Sequence, residues 1–324
     1  MPTSPPLSPR RRSHWTAKLL VIALTTAATP QSAAAAPKPV SKEDLTARAG
    51  LLSQQVVALY GQGRYRQALG VAAQAVGLFE KALGPHHADI VTALANQAQV
   101  LTALGDHRAA RPVWERIVAM QQALLGPQHP LVAEALAQQA MTLANVGDLR
   151  AAKAALQQAV VVRERSQGPE HPDTLVALNH LANLLVELAE FEAAAAVYTK
   201  VLAIRVRLLG ADHLDVAVSQ NNLAVLLEKK GELPAAQALH RQALATREKA
   251  LGPNHPDVAT SLNNLAQGCS RQGEYAAAQP LLERALLIWQ TALGPGHVDV
   301  AVAASNLALL LQLTGAYATA RPLA

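Results

Sequence analysis

The sequence predicts an all-α fold, a solenoid of antiparallel helix hairpins, from three observations. First, the heptapeptide Leu251-Gly252-Pro253-Asn254-His255-Pro256-Asp257 recurs in variant form every 42 residues, with no insertion or deletion. It sets Gly84, Gly126, Gly168, Gly210, Gly252 and Gly294 in one column and His87, His129, His171, His213, His255 and His297 in another. Second, small residues recur at the same phase inside the units. Third, apolar residues make up 51% of the chain but aromatics only 3%, so the core is built from Ala, Leu and Val. Strict self-similarity at this period marks units that bury their apolar faces only by stacking on neighbours.

The elements follow in chain order. Residues 1–36 read as an export signal. A basic stretch ends at Lys18, the apolar run Leu19 to Leu24 follows, and Gln31 to Ala36 offers small-residue cleavage sites. The run is short of the roughly 20 residues that span a bilayer. An uncleaved membrane anchor and a disordered tail are the competing readings. Arg11-Arg12 permits a twin-arginine signal, which Ser13-His14-Trp15 fits poorly. Residues 37–41 read as a linker, and Ser41 with Asp44 has the spacing of a capping box that opens the first helix. The repeat array occupies residues 42–324.

Within the array the 42-residue phase places hairpins at about 42–84, 87–126, 129–168, 171–210, 213–252 and 255–294, with a seventh starting at His297. Each holds a helix A, a turn and a longer helix B. The spacer's chemistry ends one helix and begins the next. Gly252 suits the left-handed conformation that closes a helix. Pro253 cannot continue that helix, and Pro256 suits the first turn of the following one, where its missing N–H has no partner to lose. Asp257 then meets the positive end of the new helix dipole.

The A–B turn centres on Gly63, Gly105, Gly147, Gly231, Gly273 and Gly315, with Ala189 as the exception. Two residues later comes a mostly large apolar plug: Tyr65, His107, Leu149, Phe191, Leu233, Tyr275 or Tyr317. Alanine columns run Ala68, Ala110, Ala152, Ala194, Ala236, Ala278, Ala320 on helix B and Ala98, Ala140, Ala182, Ala224, Ala266, Ala308 on helix A. Small side chains at a crossing let helix axes approach to about 8 Å. Pro112, Pro280 and Pro322 fall inside helix B and are expected to bend it.

Leu262, Leu265-Ala266, Gly273, Tyr275, Ala278, Leu282 and Ala285 fall where the tetratricopeptide repeat carries its signature residues. The longer period, with Ser261-Leu262-Asn263-Asn264-Leu265-Ala266, resembles the kinesin light chain variety of that repeat. The resemblance covers residues 42–324, with Gln97 and Gln139 departing from the leucine of later units. It implies a right-handed superhelix whose A helices line a concave groove that grips protein segments. An exported chain gives no reason to extend the resemblance to the kinesin motor.

The candidate binding site is an amide column on the A helices: Asn179, Asn221 and Asn263, flanked by His180, Asn222, Asn264 and Asn306, with Asn183 beside them. Asparagine is a mediocre helix former, so its repetition within helices needs a reason. Facing the groove, each amide can donate to and accept from a peptide backbone; alternatively, one Asn of each pair bonds a neighbouring helix and sets the stagger. Lys229 and Arg271, equivalent positions at the groove's edge, suit acidic residues of a partner. Otherwise Glu228-Lys229-Lys230 and Arg163-Glu164-Arg165 read as solvated faces.

Other chemistries find no support. Units two helix packings apart, at about 8–10 Å each, cannot bring their histidines to one zinc, whose ligands sit near 2.0–2.1 Å. The histidines therefore read as structural or as caps of helix A, and no metal or cofactor is expected. Cys269 reads as buried and inert. No phosphate loop, nucleophile elbow or HExxH helix occurs. The formal charge of +5 owes much to Arg10, Arg11, Arg12 and Lys18, with no acid before residue 37. No basic stripe interleaved with aromatics follows, so nucleic acid is not expected. The final unit is expected to expose Leu307, Leu309, Leu310 and Leu311, a surface for self-association or partner docking.

The sequence thus reads as a periplasmic or secreted scaffold, not an enzyme, that binds a protein or peptide. An accessory subunit of an envelope enzyme encoded on another chain is the rival reading.

Overall fold

A computed structural model of the chain describes residues 41–321. Among the described residues there are fourteen helices and no strand. They are α1 (Lys42–Gly61), α2 (Tyr65–Leu83), α3 (Ala88–Ala103), α4 (His107–Leu125), α5 (Pro130–Asn145), α6 (Leu149–Ser166) and α7 (Pro172–Glu187). Then come α8 (Phe191–Leu209), α9 (Leu214–Lys230), α10 (Leu233–Leu251), α11 (Pro256–Arg271), α12 (Tyr275–Leu293), α13 (Val298–Leu313) and α14 (Tyr317–Ala320). These are the A and B helices of the repeat phase. The chain divides into two compact units, one ending at Val113 and one beginning at Trp114, within α4. In the first, Val56, Leu59, Ala68, Ala72 and Val100 from α1, α2 and α3 form a core. In the second, successive hairpins stack from α5 to α14. The export signal, most of the linker and Pro322 lie outside the described residues.

Each junction follows from its residues. Ser41 Oγ accepts from the Asp44 N–H at 3.0 Å while the Asp44 carboxylate accepts from the Ser41 N–H at 3.2 Å, a closed capping box. The histidine column caps the A helices. Nδ1 of His87, His129, His171, His255 and His297 accepts from the backbone N–H two residues on at 3.2 Å, and that of His213 at 3.1 Å. An imidazole here does the work usually given to Asp or Ser.

The spacer glycines depart from expectation. Gly252 has φ 83° and ψ 158°, and Gly84, Gly210 and Gly294 are alike. The positive φ is as predicted, but the extended ψ is not that of the left-handed helix. The chain leaves helix B straight toward the next histidine instead of curling, in a region essentially reserved for glycine. The A–B turns do use the left-handed helical conformation, as at Gly231 with φ 84° and ψ 6°. Ala189 shares the positive φ, at 59°, the one non-glycine to do so among the described residues.

The alanine columns are buried throughout, none more than 4% exposed. α4 and α12 continue through Pro112 and Pro280. In α13 the expectation of an exposed leucine surface is only partly met. Leu307, Leu310 and Leu311 are buried in a core with Leu282, Leu286 and Trp289, whereas Leu309 and Leu313 are each 58% exposed. Helical periodicity turns the first three toward the preceding hairpin and the last two away from it.

Adjacent repeats are also clamped by buried arginines. Arg205 Nη1 donates to the Asp215 carbonyl at 3.1 Å and to Ser219 Oγ at 2.8 Å. One repeat on, Arg247 Nη1 donates to the Asp257 carbonyl at 3.2 Å and to Ser261 Oγ at 2.7 Å. Burial pulls both guanidinium pKa values down, with Asp215 and Asp257 opposing the shift. Where Phe79 and Trp289 occupy this phase, Ala93 and Ala303 stand in place of the serine.

Candidate peptide-binding face of the A helices

The structure sorts the predicted amide column into two classes. Asn264 Nδ2 on α11 donates to Asn221 Oδ1 on α9 at 2.8 Å, and Asn306 Nδ2 on α13 donates to Asn263 Oδ1 on α11 at 2.8 Å. These are rungs between successive A helices, and Asn263 and Asn264 are buried in them. Their amides bond neighbouring helices. Asn221 and Asn306 are half-buried and keep an edge toward solvent.

Asn179 and Asn222 form the second class. Asn179 is buried, 7% exposed, and its Oδ1 has no hydrogen-bond partner. Asn222 is half-buried. Beside them, Asn183 accepts a short hydrogen bond from the Tyr198 hydroxyl. That phenol's pKa is driven upward by burial and by the nearby Glu187. His180 is half-buried, and burial, helped by Arg163, lowers its pKa from 6.5 to about 4, so it is a neutral imidazole. Val176 and Val218, one turn before these polar residues on α7 and α9, are 43% and 39% exposed.

The charged residues are less solvated than the sequence suggests. Lys229 is exposed, but Glu228 beside it is half-buried, with its side chain only 6% exposed. Glu228 Oε1 lies 3.2 Å from His240 Nε2 on α10, and its Oε2 lies 3.5 Å from Arg271 Nη1 on α11. A Cβ at residue 268 would come within 3.1 Å of that carboxylate, so Gly268 leaves it room. Lys230 pairs with Glu192 and Glu232. Arg163 is likewise packed, its side chain 12% exposed and 3.0 Å from the Asp173 carboxylate, and Glu164 pairs with Lys200. Arg271 is thus an exposed cation tethered by an acid with little exposed side-chain surface. The solvated face expected for Glu228 is thus not found, and its partner His240 was not singled out in the sequence, although a glycine inside α11 was a visible signal.

Cys269 is buried, and its sulfur accepts from Gln237 Nε2 at 3.2 Å. Burial raises the thiol pKa, which keeps it protonated and poorly nucleophilic. Among the described residues, no group of three His, Cys, Asp or Glu side chains is placed to hold a metal ion, and no helix is long and apolar enough to cross a membrane.

Comparison with known proteins settles the family. The tetratricopeptide repeat model matches residues 48–113, 89–160, 137–205, 198–249, 215–286 and 269–324. The chain belongs to the tetratricopeptide repeat family. Among solved structures, it is similar to a Podosopora anserina protein of nearly identical TPR-like repeats, named for kinesin light chain. Identity there is 24%, over 63% of this chain and 96% of that one, with a TM-score of 0.59. BtubC from P. vanneervenii is 23% identical over 78% of this chain and 93% of that one, with a TM-score of 0.57. The type IV pilus biogenesis factor PilW is 15% identical over 78% and 97%, with a TM-score of 0.54. At these identities the likeness is one of fold. Comparison with curated proteins gave no match. The tetratricopeptide array is a scaffold of the kind that binds protein partners.

Proposed function

We propose that this tetratricopeptide repeat protein is a non-catalytic scaffold that holds an extended polypeptide segment in a groove along the A helices of α7, α9, α11 and α13. The observation that carries the reading is the amide column, whose members at Asn221, Asn222 and Asn306 keep part of their surface open beside exposed valines and the cations Lys229 and Arg271. Each amide hydrogen bond to a bound backbone contributes about 0.5–1.5 kcal/mol net, enough in series for recognition with little dependence on sequence. Lys229 and Arg271 favour a segment carrying an acidic side chain at one end.

The reading includes export to the periplasm or cell exterior, carried by residues 1–36. It also assigns self-association to the exposed stripe of Val302, Leu309 and Leu313 on α13. Capture of proteins from an envelope extract, comparing wild type with Asn222→Ala/Asn306→Ala/Arg271→Ala, tests the groove. Loss of a captured species supports it, and undiminished capture removes the groove from the account. Sedimentation as a monomer at high concentration would remove the self-association.

A further inference from the structure

The fifth hairpin, α9 with α10, breaks the apolar pattern of its neighbours at buried positions. Leu94, Leu136, Leu178 and Leu262 share one buried phase of the A helices, where α9 has Gln220. Trp114, Leu156, Tyr198 and Leu282 share one buried phase of the B helices, where α10 has His240. Leu184, Leu226 and Leu310 share a third, where α11 has Gly268. The space that Gly268 leaves is taken by the Glu228 carboxylate, which lies 3.2 Å from His240 Nε2. Gln220 Oε1 and His240 Nδ1 are buried without a hydrogen-bond partner. As a result α9 and α10 together bury a single leucine, Leu226, whereas α7 alone buries Leu175, Leu178, Leu181, Leu184 and Leu185.

Opening such a hairpin gives up little that water does not return. Apolar area uncovered by opening is lost to the fold outright, whereas a broken hydrogen bond is remade with solvent and its net contribution is small. Bonds of the second kind tie both flanks of the hairpin: Arg205 to Ser219, Arg247 to Ser261, Gln237 to Glu274 and Asn264 to Asn221. We infer that α9–α10 is the opening segment of the array, a hairpin that parts from α8 and α11 and closes again as one unit while the hairpins on either side stay folded. A solenoid permits this, because each unit contacts only its neighbours and stability is a sum of unit and interface contributions. Asn221, Asn222 and Lys229 ride on α9, so a ligand that touches α9 and α11 together binds the closed form and holds it shut. The inference concerns the free chain and stands whatever occupies the groove.

The test is hydrogen–deuterium exchange on the full chain without a partner, read by mass spectrometry across a series of low urea concentrations. Backbone amides of α9 and α10 should exchange at least about 10-fold faster than those of α7 and α12, and should share one urea dependence, the mark of a single opening unit. Gln220→Leu, which restores the residue of that phase, should slow exchange in α9 and α10 by about 10-fold and leave α7 and α12 within about twofold. Glu228→Val/His240→Leu/Gly268→Leu, which supplies the residues found at those phases as Val186, Leu156 and Leu226, should act in the same direction. Exchange in α9 and α10 as slow as in α7 and α12, or fast exchange in only one of the two helices, would overturn the opening segment. Fast exchange that Gln220→Leu leaves unchanged would overturn its origin in the polar core, and the inference with it.

Discussion

Arg247 on α10 donates to Ser261 Oγ on α11 at 2.7 Å, both residues buried, and Arg205 and Ser219 repeat the pair one unit earlier. Because the guanidinium is held by a hydroxyl and a carbonyl, with no carboxylate in contact, either single truncation leaves a buried polar group short of a partner. Ser261→Ala should destabilise by about 1–3 kcal/mol and Arg247→Ala by about 2–4 kcal/mol, the latter also opening a cavity. The pair Trp289 and Ala303 shows the apolar solution at the same phase. Arg247→Trp combined with Ser261→Ala should therefore be more stable than the sum of the single changes. Urea unfolding of the four proteins measures this coupling, and simple additivity would count against the clamp.

Ala189 holds φ 59° where the other A–B turns have glycine. The left-handed conformation costs an alanine about 1–2 kcal/mol, partly offset by the greater freedom of an unfolded glycine. Ala189→Gly should raise stability by about 0.5–1 kcal/mol. Gly252→Ala should act in the opposite sense and more strongly, since its φ of 83° with ψ of 158° is a region side chains avoid. Thermal unfolding of the two variants checks both signs.

His255 Nδ1 accepts from the Asp257 N–H at 3.2 Å. His255→Ala should cost about 1 kcal/mol, whereas His255→Asn, itself a good cap, should retain most of the stability. Equal losses in the two variants would show that the ring acts by packing and not as a cap.

His180 is the titrating group whose sign is clearest. Its pKa in the fold is lowered from 6.5 to about 4, chiefly by burial. The unfolded chain therefore binds the proton more readily between those values, and stability falls as pH drops through that window, by at most about 1.4 kcal/mol per unit. His180→Asn, matching Asn222, Asn264 and Asn306, should flatten this part of the pH profile. Chemical denaturation at pH 7 and pH 4.5 on both proteins makes the comparison, and parallel profiles would contradict it.

Much of this was legible in the residues. The 42-residue phase located every hairpin because Gly, Pro and His each have one physical use in that spacer. The alanine columns announced close crossings, and Ala189 stood out as the odd turn. The amide column was legible as composition but not as pairing. Which of Asn179, Asn221 and Asn263 bonds its neighbour depends on side-chain geometry that periodicity does not carry. Glu228 was misread as solvated because a charge run usually is. Its burial depends on a histidine 12 residues on and on the missing side chain of Gly268, which no local window joins. The ψ of the spacer glycines was missed because a helix-ending glycine usually curls, while here the chain must run straight into the next cap.

The central claim is that a polypeptide lies along the A-helix amides. A photo-crosslinking residue placed at Val218, 39% exposed beside Asn221 and Asn222, tests it most directly, with a second variant at Leu287, 64% exposed on α12, for comparison. The account predicts polypeptide adducts from position 218 in envelope extract, diminished by Asn222→Ala, and none from position 287. Adducts from 287 alone, or equally from both positions, would contradict it.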